Sequence, residues 1–424
     1  KYHKMIIEFS VKNYRSIKDL QTLSMVAAPI KSKNSELDTN NVIKVSDKLS
    51  LLKSAGIYGA NGSGKSNLIQ SLVAMLIIIR DSLVNDRIGT EMIEPFIFNR
   101  ECALNPTFFQ LVFICEDENK NKVRYRYGFE ILGNVIKSEW LFGTPKKTET
   151  HYFIRKDSTI KINEKKFTEG KGLPTDKLSE NNLFLNFVKA FNGQTSKKII
   201  DFFSKKISVS AGVGDIRFRK NTLEIMKHED FKNKILELLN FADFGIGDIY
   251  NKSVVENEEE IESKEKKELL ISKRTVYDST GKKTLNVEWT MDGHESDGTQ
   301  KFFNYSGVIT YDLIYGSALF LDEFDARLHP MLTKKIVEMF NSPTLNKNGA
   351  QLVFVTHDTN LLDNSLLRRD QIYFTEKNKM QETVLYSLAD FKGIRNDASY
   401  EKDYINGKYG AIPFLGDFEK LFKE

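Results

Sequence analysis

The chain of 424 residues lacks several features that mark particular classes of protein. It has only two cysteines, Cys102 and Cys115, and these provide neither a metal-binding spacing nor a disulfide framework. The longest apolar run extends only from Leu72 to Ile79, which is far short of a membrane span. These absences argue against a disulfide-stabilised secreted scaffold and against a membrane-spanning protein. We therefore expect a cytoplasmic protein with no membrane partner.

The chain also lacks a strong excess of either charge. Lys and Arg total 62 while Asp and Glu total 58, so the formal net charge is only +4. A nearly neutral chain neither requires nor excludes a nucleic-acid partner, and any basic surface must be local. Internal repeats and sustained heptads are absent, so any coiled coil is short. Apolar residues still make up 40% of the chain, which is enough for a folded core in one large domain or two ordinary ones.

What the chain does contain is a phosphate-binding P-loop. The stretch from Gly59 to Ser66 matches G-x-x-x-x-G-K-[ST] at every fixed position. The preceding residues 54–58 predict a buried strand, and the following residues 67–72 predict a helix. In this motif glycines let backbone N–H groups turn toward the phosphates, Lys65 would reach the β- and γ-phosphates, and Ser66 would ligate Mg²⁺. The predicted nucleotide-binding residues are Gly59, Ala60, Asn61, Gly62, Ser63, Gly64, Lys65, Ser66 and Asn67.

A second nucleotide motif lies far downstream. Residues 317–321 form an apolar run that predicts a buried strand, and Asp322 and Glu323 follow it directly. This is the Walker B pattern, in which a parallel strand presents carboxylates at its carboxyl end beside the P-loop. Asp322 would hold Mg²⁺, directly or through water. Glu323 would orient and polarise the attacking water, because phosphoryl transfer depends on positioning and charge stabilisation.

Two further segments narrow the class of nucleotide site. Residues 352–356 predict another buried strand, and His357 at its end is placed to contact a γ-phosphate, although a surface histidine is the simpler alternative. Ser296 and Gly298 precede a predicted helix, where serine can cap the helix and glycine permits close approach of a phosphate. An ordinary helix N-cap remains the alternative for these two residues.

The remaining segments suggest the organisation of the chain. Residues 5–11 predict a strand, and residues 94–142 predict an antiparallel segment with strands at 108–114, 124–131 and 137–142. Residues 181–273 are rich in lysine and predict helices. The dense run of mixed charge from Glu256 to Glu268 favours a solvated loop or exposed helix over a binding tail.

The order of these motifs resembles that of the ABC-type ATPases, and within them the SMC-like and OLD-like branch. Residues 322–330 look like the Walker B motif and D-loop of that branch, and residues 295–300 resemble its signature motif, with Glu295 in place of the usual leucine. The chain is most similar to bacterial AAA-labelled ATPases of abortive-infection and other anti-phage systems. Further segments similar to that family are residues 13–17, 369–374, 385–391 and 407–413.

The resemblance implies an α/β fold, namely an ABC-type P-loop NTPase head with a mixed sheet, an antiparallel subdomain and a helical insertion. The implied domains are an N-terminal part of the ATPase at 5–150, an insertion for assembly or partner binding at 180–285, and a C-terminal part of the ATPase at 286–424. It also implies that Arg15 and Asp325 contact nucleotide, in addition to Ser296 and Gly298, and that Glu323 and His357 are catalytic. The implied cofactors are ATP and Mg²⁺.

The resemblance further implies a composite site made by two subunits. Each ATP would be held by the P-loop and Walker B of one chain and by the signature Ser296 and Gly298 of the other. ATP binding would then join a head-to-tail homodimer or higher homo-oligomer, and hydrolysis would open it. We find no His-Asn-His arrangement and expect no Toprim domain, so any nuclease activity would belong to a partner.

Three functions remain open from the sequence. The first is an ATPase switch that controls a separate effector, a Toprim or HNH nuclease, in phage defence, with a phage protein or nucleic acid as the trigger. The second is a DNA-repair or DNA-structure-sensing ATPase like the RecF-type and SMC-type proteins. The third is an ATP-dependent assembly scaffold with little turnover. A transporter ATPase is disfavoured by the antiparallel segment and the insertion.

Overall fold

Strands from distant parts of the chain lie side by side in one sheet. Residues 54–58 pair in parallel with Gln351–Val355 on one side and with Ile372–Lys377 on the other.

The computed structural model describes residues 4–85, 87–117, 119–212, 216–255, 266–395 and 397–413. The chain divides into two units, one of residues 1–211, 313–324 and 334–424, and the other of residues 212–312 and 325–333.

The described part of the chain contains eighteen strands, which are numbered here in chain order. They are β1 (Met5–Lys12), β2 (Gln21–Ser24), β3 (Val42–Ser46), β4 (Leu49–Leu52), β5 (Ser54–Tyr58), β6 (Thr107–Glu116), β7 (Lys122–Leu132), β8 (Val135–Thr144), β9 (Thr150–Lys156), β10 (Thr159–Ile162), β11 (Ile207–Ser210), β12 (Ile246–Val255), β13 (Lys266–Tyr277), β14 (Lys283–Thr290), β15 (Ala318–Leu321), β16 (Gln351–Val355), β17 (Ile372–Lys377) and β18 (Thr383–Ser387).

The same ranges contain eleven α-helices. They are α1 (Leu37–Asn40), α2 (Lys65–Asp81), α3 (Ile88–Met92), α4 (Phe184–Ala190), α5 (Gln194–Lys205), α6 (Ile216–Ile225), α7 (Glu229–Phe241), α8 (Met291–His294), α9 (Asp297–Tyr315), α10 (Pro330–Asn341) and α11 (Tyr400–Ile405). Among these helices none combines the length and the apolar character that crossing a bilayer requires.

A mixed six-stranded sheet in the first unit carries the nucleotide motifs. Its order is β11-β15-β16-β5-β17-β18, and every neighbouring pair is parallel except β17 and β18. Every residue of β5, β15 and β16 is buried, as expected for strands that are covered on both faces. The carboxyl ends of β15, β16 and β5 therefore meet at one edge, where a nucleotide site is expected.

A seven-stranded antiparallel sheet completes most of the first unit. Its order is β10-β9-β8-β7-β6-β1-β2, so the predicted strands at 5–11, 108–114, 124–131 and 137–142 are confirmed, each with slightly different ends. A continuous core joins this sheet to α2, α4 and α5. In it the rings of Phe113 and Phe202 stack with their centroids 4.5 Å apart. The α/β fold with a mixed sheet and an antiparallel subdomain is confirmed.

The second unit differs from the helical segment that the sequence predicted. It contains α6, α7 and α8, but β12, β13 and β14 form a three-stranded antiparallel sheet in which β13 is central. The prediction of helix is therefore wrong for residues 246–255 and 266–273, and also for β11 in the first unit. The many lysines favoured helix, whereas the branched and aromatic residues between them favour strands. The charge run from Glu256 lies outside the described residues up to residue 265.

Candidate functional site

The P-loop connects β5 to α2 as the motif requires. Gly64 precedes α2 with φ of 105°, a conformation that side chains other than glycine rarely adopt. A Cβ atom at Gly64 would collide with the hydroxyl of Thr383 and would approach the Ser16 hydroxyl to 2.9 Å. Glycine is therefore required here both for the turn and for close packing.

Lys65 is folded against the P-loop. Its ammonium group donates hydrogen bonds to the carbonyl oxygens of Gly59, at 2.8 Å, and of Ala60, at 3.0 Å. The side chain is buried at the start of α2, whereas Asn61, Gly62 and Ser66 are exposed. A buried ammonium beside exposed backbone N–H groups favours binding of a phosphate anion.

Asp322 comes together with Ser66, as the two motifs predict. The Ser66 hydroxyl donates a 3.1 Å hydrogen bond to the Asp322 carboxylate, which also accepts one from the backbone N–H of Glu323. Asp322 is only 3% exposed, and this burial raises its pKa despite both hydrogen bonds. A hydroxyl and a desolvated carboxylate are oxygen ligands of the kind that Mg²⁺ prefers, so the pair fits that ion.

Glu323 follows in a strained conformation. Its φ is 49°, in the left-handed region that glutamate rarely occupies. The next residue fixes this turn, because the N–H of Phe324 donates to the Val355 carbonyl at 2.9 Å and its ring packs against Phe354. The half-buried Glu323 carboxylate is thereby kept at the edge where β15 ends. Strain of this kind is common at functional sites.

His357 lies at the same edge, two residues after β16. Because β16 runs between β15 and β5, His357 follows the strand that separates Asp322 from the P-loop. The preceding Thr356 is fully buried and its N–H donates to the Ile57 carbonyl at 3.2 Å, whereas His357 itself is exposed. The structure thus brings the P-loop, Asp322, Glu323 and His357 to one sheet edge.

A group of hydroxyls packs against the P-loop, and among its members the P-loop motif selects only Ser63. This hydroxyl cluster consists of Ser16, Ser63, Thr375 and Thr383. Thr383 donates to the Ser63 carbonyl at 2.9 Å and is hydrogen-bonded to Ser16 at 2.7 Å, while the Ser63 and Thr375 hydroxyls lie 2.7 Å apart. Asn67 on α2 also donates to Ser16, at 2.7 Å. No periodic pattern marks these residues, since they come from three distant segments.

Arg15 is ion-paired in this structure. Its guanidinium donates to the Glu94 carboxylate at 2.6 Å and lies over the Tyr14 ring, and its own φ is 48°. Its neighbour Ser16 belongs to the hydroxyl cluster and contacts Asn67. Arg15 therefore belongs to the segment that packs on the P-loop, and a direct contact with nucleotide stays a prediction.

The signature residues belong to the second unit. Ser296 caps α9, because its hydroxyl accepts a 3.2 Å hydrogen bond from the backbone N–H of Thr299. Gly298 packs closely on the segment 325–333, where a Cβ atom would lie 2.7 Å from the Arg327 carbonyl oxygen. Ser296 itself is exposed. Asp325 lies in this same segment, and its carbonyl accepts a hydrogen bond from the N–H of Leu328.

Glu295, which stands where the resembling family has leucine, is buried and fully engaged. Its carboxylate accepts hydrogen bonds from Arg274 and Ser272 on β13 and from Trp289 on β14. Burial alone would raise its pKa, but the hydrogen bonds from Arg274 and Ser272 hold the pKa below its usual value. The carboxylate thus replaces apolar packing with a directional polar contact.

In the part of the chain that the structure describes, no group of three or more His, Cys, Asp or Glu residues is suited to hold a metal ion. Cys102 and Cys115 are buried and free. The chemistry-bearing residues therefore concentrate at the edge of the six-stranded sheet and in the signature turn.

Comparisons with known proteins agree with this distribution. The family model described as "AAA domain, putative AbiEii toxin, Type IV TA system" matches residues 54–363, from β5 to beyond His357. Among solved structures, the chain is similar to an SMC head bound to the C-winged helix domain of ScpA, with 14% identity, a TM-score of 0.36, and coverage of 92% of this chain and 99% of that one. It is also similar to the SMC head domain from Thermotoga maritima, with 11% identity, a TM-score of 0.38, and coverage of 90% and 98%. Both TM-scores are below 0.5, so these two similarities say nothing about the function of this chain. No curated protein gave a significant match.

Proposed function

The chain belongs to this family of AAA domains, and we propose that it is an ATP-binding and ATP-hydrolysing switch that dimerises around nucleotide and controls a separate effector in an anti-phage defence system. The observation that supports this most strongly is the contact between Ser66 and Asp322, with Glu323 directly beside it. It joins the motif that would bind phosphate to the motif that would hold Mg²⁺ and prepare water.

Each residue at the sheet edge has a role in the proposed reaction. Lys65 and the P-loop N–H groups would bind the β- and γ-phosphates, and Ser66 and Asp322 would hold Mg²⁺, which would neutralise charge on the phosphates. Glu323 would orient the attacking water and accept its proton. His357 would contact the γ-phosphate and respond to its loss.

The signature residues would act on the nucleotide of a second subunit. Ser296 is exposed and its hydroxyl is fixed by the cap of α9, so it presents a rigid polar surface. In a head-to-tail dimer this surface would close over the partner's γ-phosphate, and Asp325 would lie in the adjoining D-loop segment. ATP would therefore stabilise the dimer, and hydrolysis would release it.

Ser296 offers a sharper test of the composite site than Gly298 does. An added Cβ at Gly298 would disturb the packing on Arg327, whereas aspartate and asparagine both cap helices well. Ser296→Asp should keep nucleotide binding by the monomer but prevent ATP-dependent association, because it adds a like charge facing a phosphate. Ser296→Asn is the matched neutral control and should associate. Association is measured by light scattering in a Glu323→Gln background. Equal association of the two Ser296 variants would contradict the composite site.

A mixing experiment tests the same arrangement independently. Lys65→Ala should abolish ATP binding in its own subunit but leave that subunit's signature turn intact. Mixed with Ser296→Asp protein, it should form heterodimers in which one site has both a working P-loop and a working signature turn. Recovery of ATPase activity on mixing is expected. A mixture as inactive as its two components would indicate that each chain completes its own site.

The effector is proposed to be a separate Toprim or HNH nuclease that is triggered by nucleic acid or a phage protein. The pure chain should hydrolyse ATP but leave DNA and RNA intact in Mg²⁺ or Mn²⁺. In cells, the gene with its neighbours should reduce phage yield, and Lys65→Ala should remove that protection. Strong stimulation of turnover by DNA without any phage phenotype would favour a DNA-structure sensor. Negligible turnover with ATP-dependent assembly would favour a scaffold.

The docking surface is proposed to lie on the insertion at 180–285 and the rest of β14, or around the C-terminal segments 369–374, 385–391 and 407–413. Leu285 and Val287 share one face of β14 and are 59% and 36% exposed. Leu285→Glu with Val287→Glu should abolish effector binding without reducing ATPase activity. Asn286→Glu changes the opposite face of the same strand and serves as the control. Effector binding that survives the double substitution would show that the effector does not bind this face of β14.

A further inference from the structure

The buried carboxylate of Glu295 ties the signature turn to the inserted sheet. Arg274 on β13 approaches it with two donors, Nε at 2.9 Å and Nη2 at 2.6 Å. The Ser272 hydroxyl donates at 2.8 Å and the Trp289 indole N–H at 3.2 Å. The side chain of Glu295 is 3% exposed and that of Arg274 is 26% exposed. Two neighbouring strands of the sheet therefore converge on the residue that directly precedes Ser296.

The other side of the turn is fixed to α9. The side-chain amide of Gln300 donates to the Glu295 carbonyl at 3.0 Å, and its backbone N–H donates to the Ser296 carbonyl at 2.9 Å. The Ser296 hydroxyl is engaged by Thr299. The orientation of Ser296 thus depends on two attachments, one to the helix through backbone and cap, and one to the sheet through Glu295.

We propose that Glu295 and Arg274 are positioning residues through which the inserted sheet sets the orientation of the signature serine and thereby supports dimerisation. This inference rests on the proposed function, in which Ser296 acts on the nucleotide of a second subunit. It connects the inserted sheet to that site through named side chains.

The chemistry of the contact supports control more than stability. A buried ion pair contributes little to folding relative to well-packed apolar residues of similar size, because desolvation offsets the attraction. The leucine usual at this position would fill space without fixing a direction. A carboxylate with a two-point guanidinium contact and two further donors has one favoured orientation. Movement of β13 relative to β14 would separate these donors and would shift the turn that bears Ser296.

The test compares variants that remove the connection with variants that preserve the fold. Arg274→Met leaves Glu295 without its cation. The double variant Glu295→Leu with Arg274→Leu removes both charges and offers apolar packing. Arg274→Lys keeps the charge without the two-point contact. Lys232→Met is the control, because it removes a different ion pair of the same unit, the 2.7 Å pair between Lys232 and Asp248 on β12.

The expected result separates binding from association. Arg274→Met should leave the Kd of the monomer for a fluorescent ATP analogue unchanged, while ATP-dependent association and kcat fall roughly tenfold to a hundredfold, since misplacing a group by about 1 Å has effects of this size. The double variant should melt at a temperature close to that of the wild type and still associate poorly. Arg274→Lys should recover part of the association, and Lys232→Met should behave as the wild type.

Wild-type association of Arg274→Met, or full association of the apolar double variant, would overturn the positioning role. The Ser296→Asp and Ser296→Asn pair keeps this outcome distinct from failure of the proposed function. If Ser296→Asp associates normally, the signature turn does not act across subunits and the inference falls with it. If Ser296→Asp fails to associate while both Arg274 variants associate normally, only the connection through Glu295 is wrong.

Discussion

The hydroxyl of Thr383 donates a 2.9 Å hydrogen bond to the carbonyl of Ser63, although 320 residues separate them. The same hydroxyl is hydrogen-bonded to Ser16, and the backbone N–H of Thr383 donates to the Ser16 carbonyl at 2.8 Å. The P-loop is therefore supported from behind by the N-terminal segment and by the β17–β18 hairpin. Support of this kind fixes the backbone N–H groups that would bind phosphate.

Removing the Thr383 hydroxyl should weaken nucleotide binding without unfolding the protein. Thr383→Val keeps the shape of the side chain but leaves the Ser63 carbonyl without this donor. A single hydrogen bond contributes about 1 kcal/mol, so the Kd for ATP should rise about fivefold. Thr383→Ser retains the donor and should bind nearly as the wild type does. Identical Kd values for the valine and serine variants, measured by calorimetry, would show that the hydroxyl does not support the loop.

The Glu323 carboxylate should be required for turnover but not for binding. Glu323→Gln removes the proton acceptor. Glutamine tolerates the left-handed backbone as well as glutamate does, so the turn should be unchanged. We expect kcat to fall by about 10²-fold to 10⁴-fold, the range of general base catalysis, with an unchanged Kd for ATP. Glu338→Gln, on α10, is the control for loss of a carboxylate. Wild-type turnover by Glu323→Gln would assign the base elsewhere.

Neutralising Asp322 should separate stability from metal binding. Burial raises the pKa of Asp322, which means that the ionised carboxylate lowers the stability of the nucleotide-free protein. Asp322→Asn removes this charge, so the melting temperature without nucleotide should rise by a few degrees. The additional stabilisation that Mg²⁺ and ATP give together should then be lost. A variant still stabilised by Mg²⁺ with ATP as strongly as the wild type would contradict a role in holding the ion.

Lys53 provides a pH-dependent test remote from the chemistry. It is 4% exposed, and burial lowers its pKa from 10.5 to about 8. Below pH 8 the folded state carries a buried charge, and from pH 8 to 10.5 only the unfolded state keeps the proton, so stability rises with pH through that window. The lowered pKa corresponds to roughly 3 kcal/mol at pH 7, and loss of the two long hydrogen bonds from Lys53 to the carbonyls of Asn341 and Ser342 offsets part of it. Lys53→Met should therefore stabilise the protein at pH 7 by about 2 kcal/mol.

The advantage of Lys53→Met over the wild type should shrink when the melts are repeated near pH 10. Lys44→Met is the matched control, because the Lys44 side chain is 70% exposed and its ion-pair partner Asp47 is 96% exposed. Its effect should be small and independent of pH. A stabilisation by Lys53→Met that stays constant from pH 7 to pH 10 would mean that burial does not perturb this ammonium.

Local patterns in the sequence are sufficient to predict the strands and the helix that carry the P-loop and Walker B motifs. Buried runs with polar residues at their ends identified β5, β15 and β16, and the parallel pairing of these strands brings Asp322 to Ser66. The hydroxyl cluster could not be predicted in this way. Single Ser and Thr residues have no periodicity, and the partners of Ser63 come from residue 375 and beyond.

The second unit was harder to predict for a different reason. In the residues that form β12, β13 and β14, lysines are mixed with branched and aromatic residues, and the antiparallel pairing of these strands is a long-range feature that local patterns do not reveal. Glu295 looked like a departure from the usual leucine of the signature motif. The carboxylate of Glu295 binds Arg274, Ser272 and Trp289. The sequence predicts helix at Ser272 and no element at Arg274 or Trp289, so it does not predict this polar contact.

The position of β5 between β16 and β17 has a consequence for synthesis on the ribosome. The P-loop strand emerges before the strands that pair with both of its edges, which are translated about 300 residues later. Until then, β5 is an apolar segment with two unpaired edges, which invites misassembly unless a chaperone covers it. A product that terminates before residue 351 would lack both neighbours of β5 and could not bind ATP. The nascent chain can therefore gain this activity only after β16 and β17 have been translated.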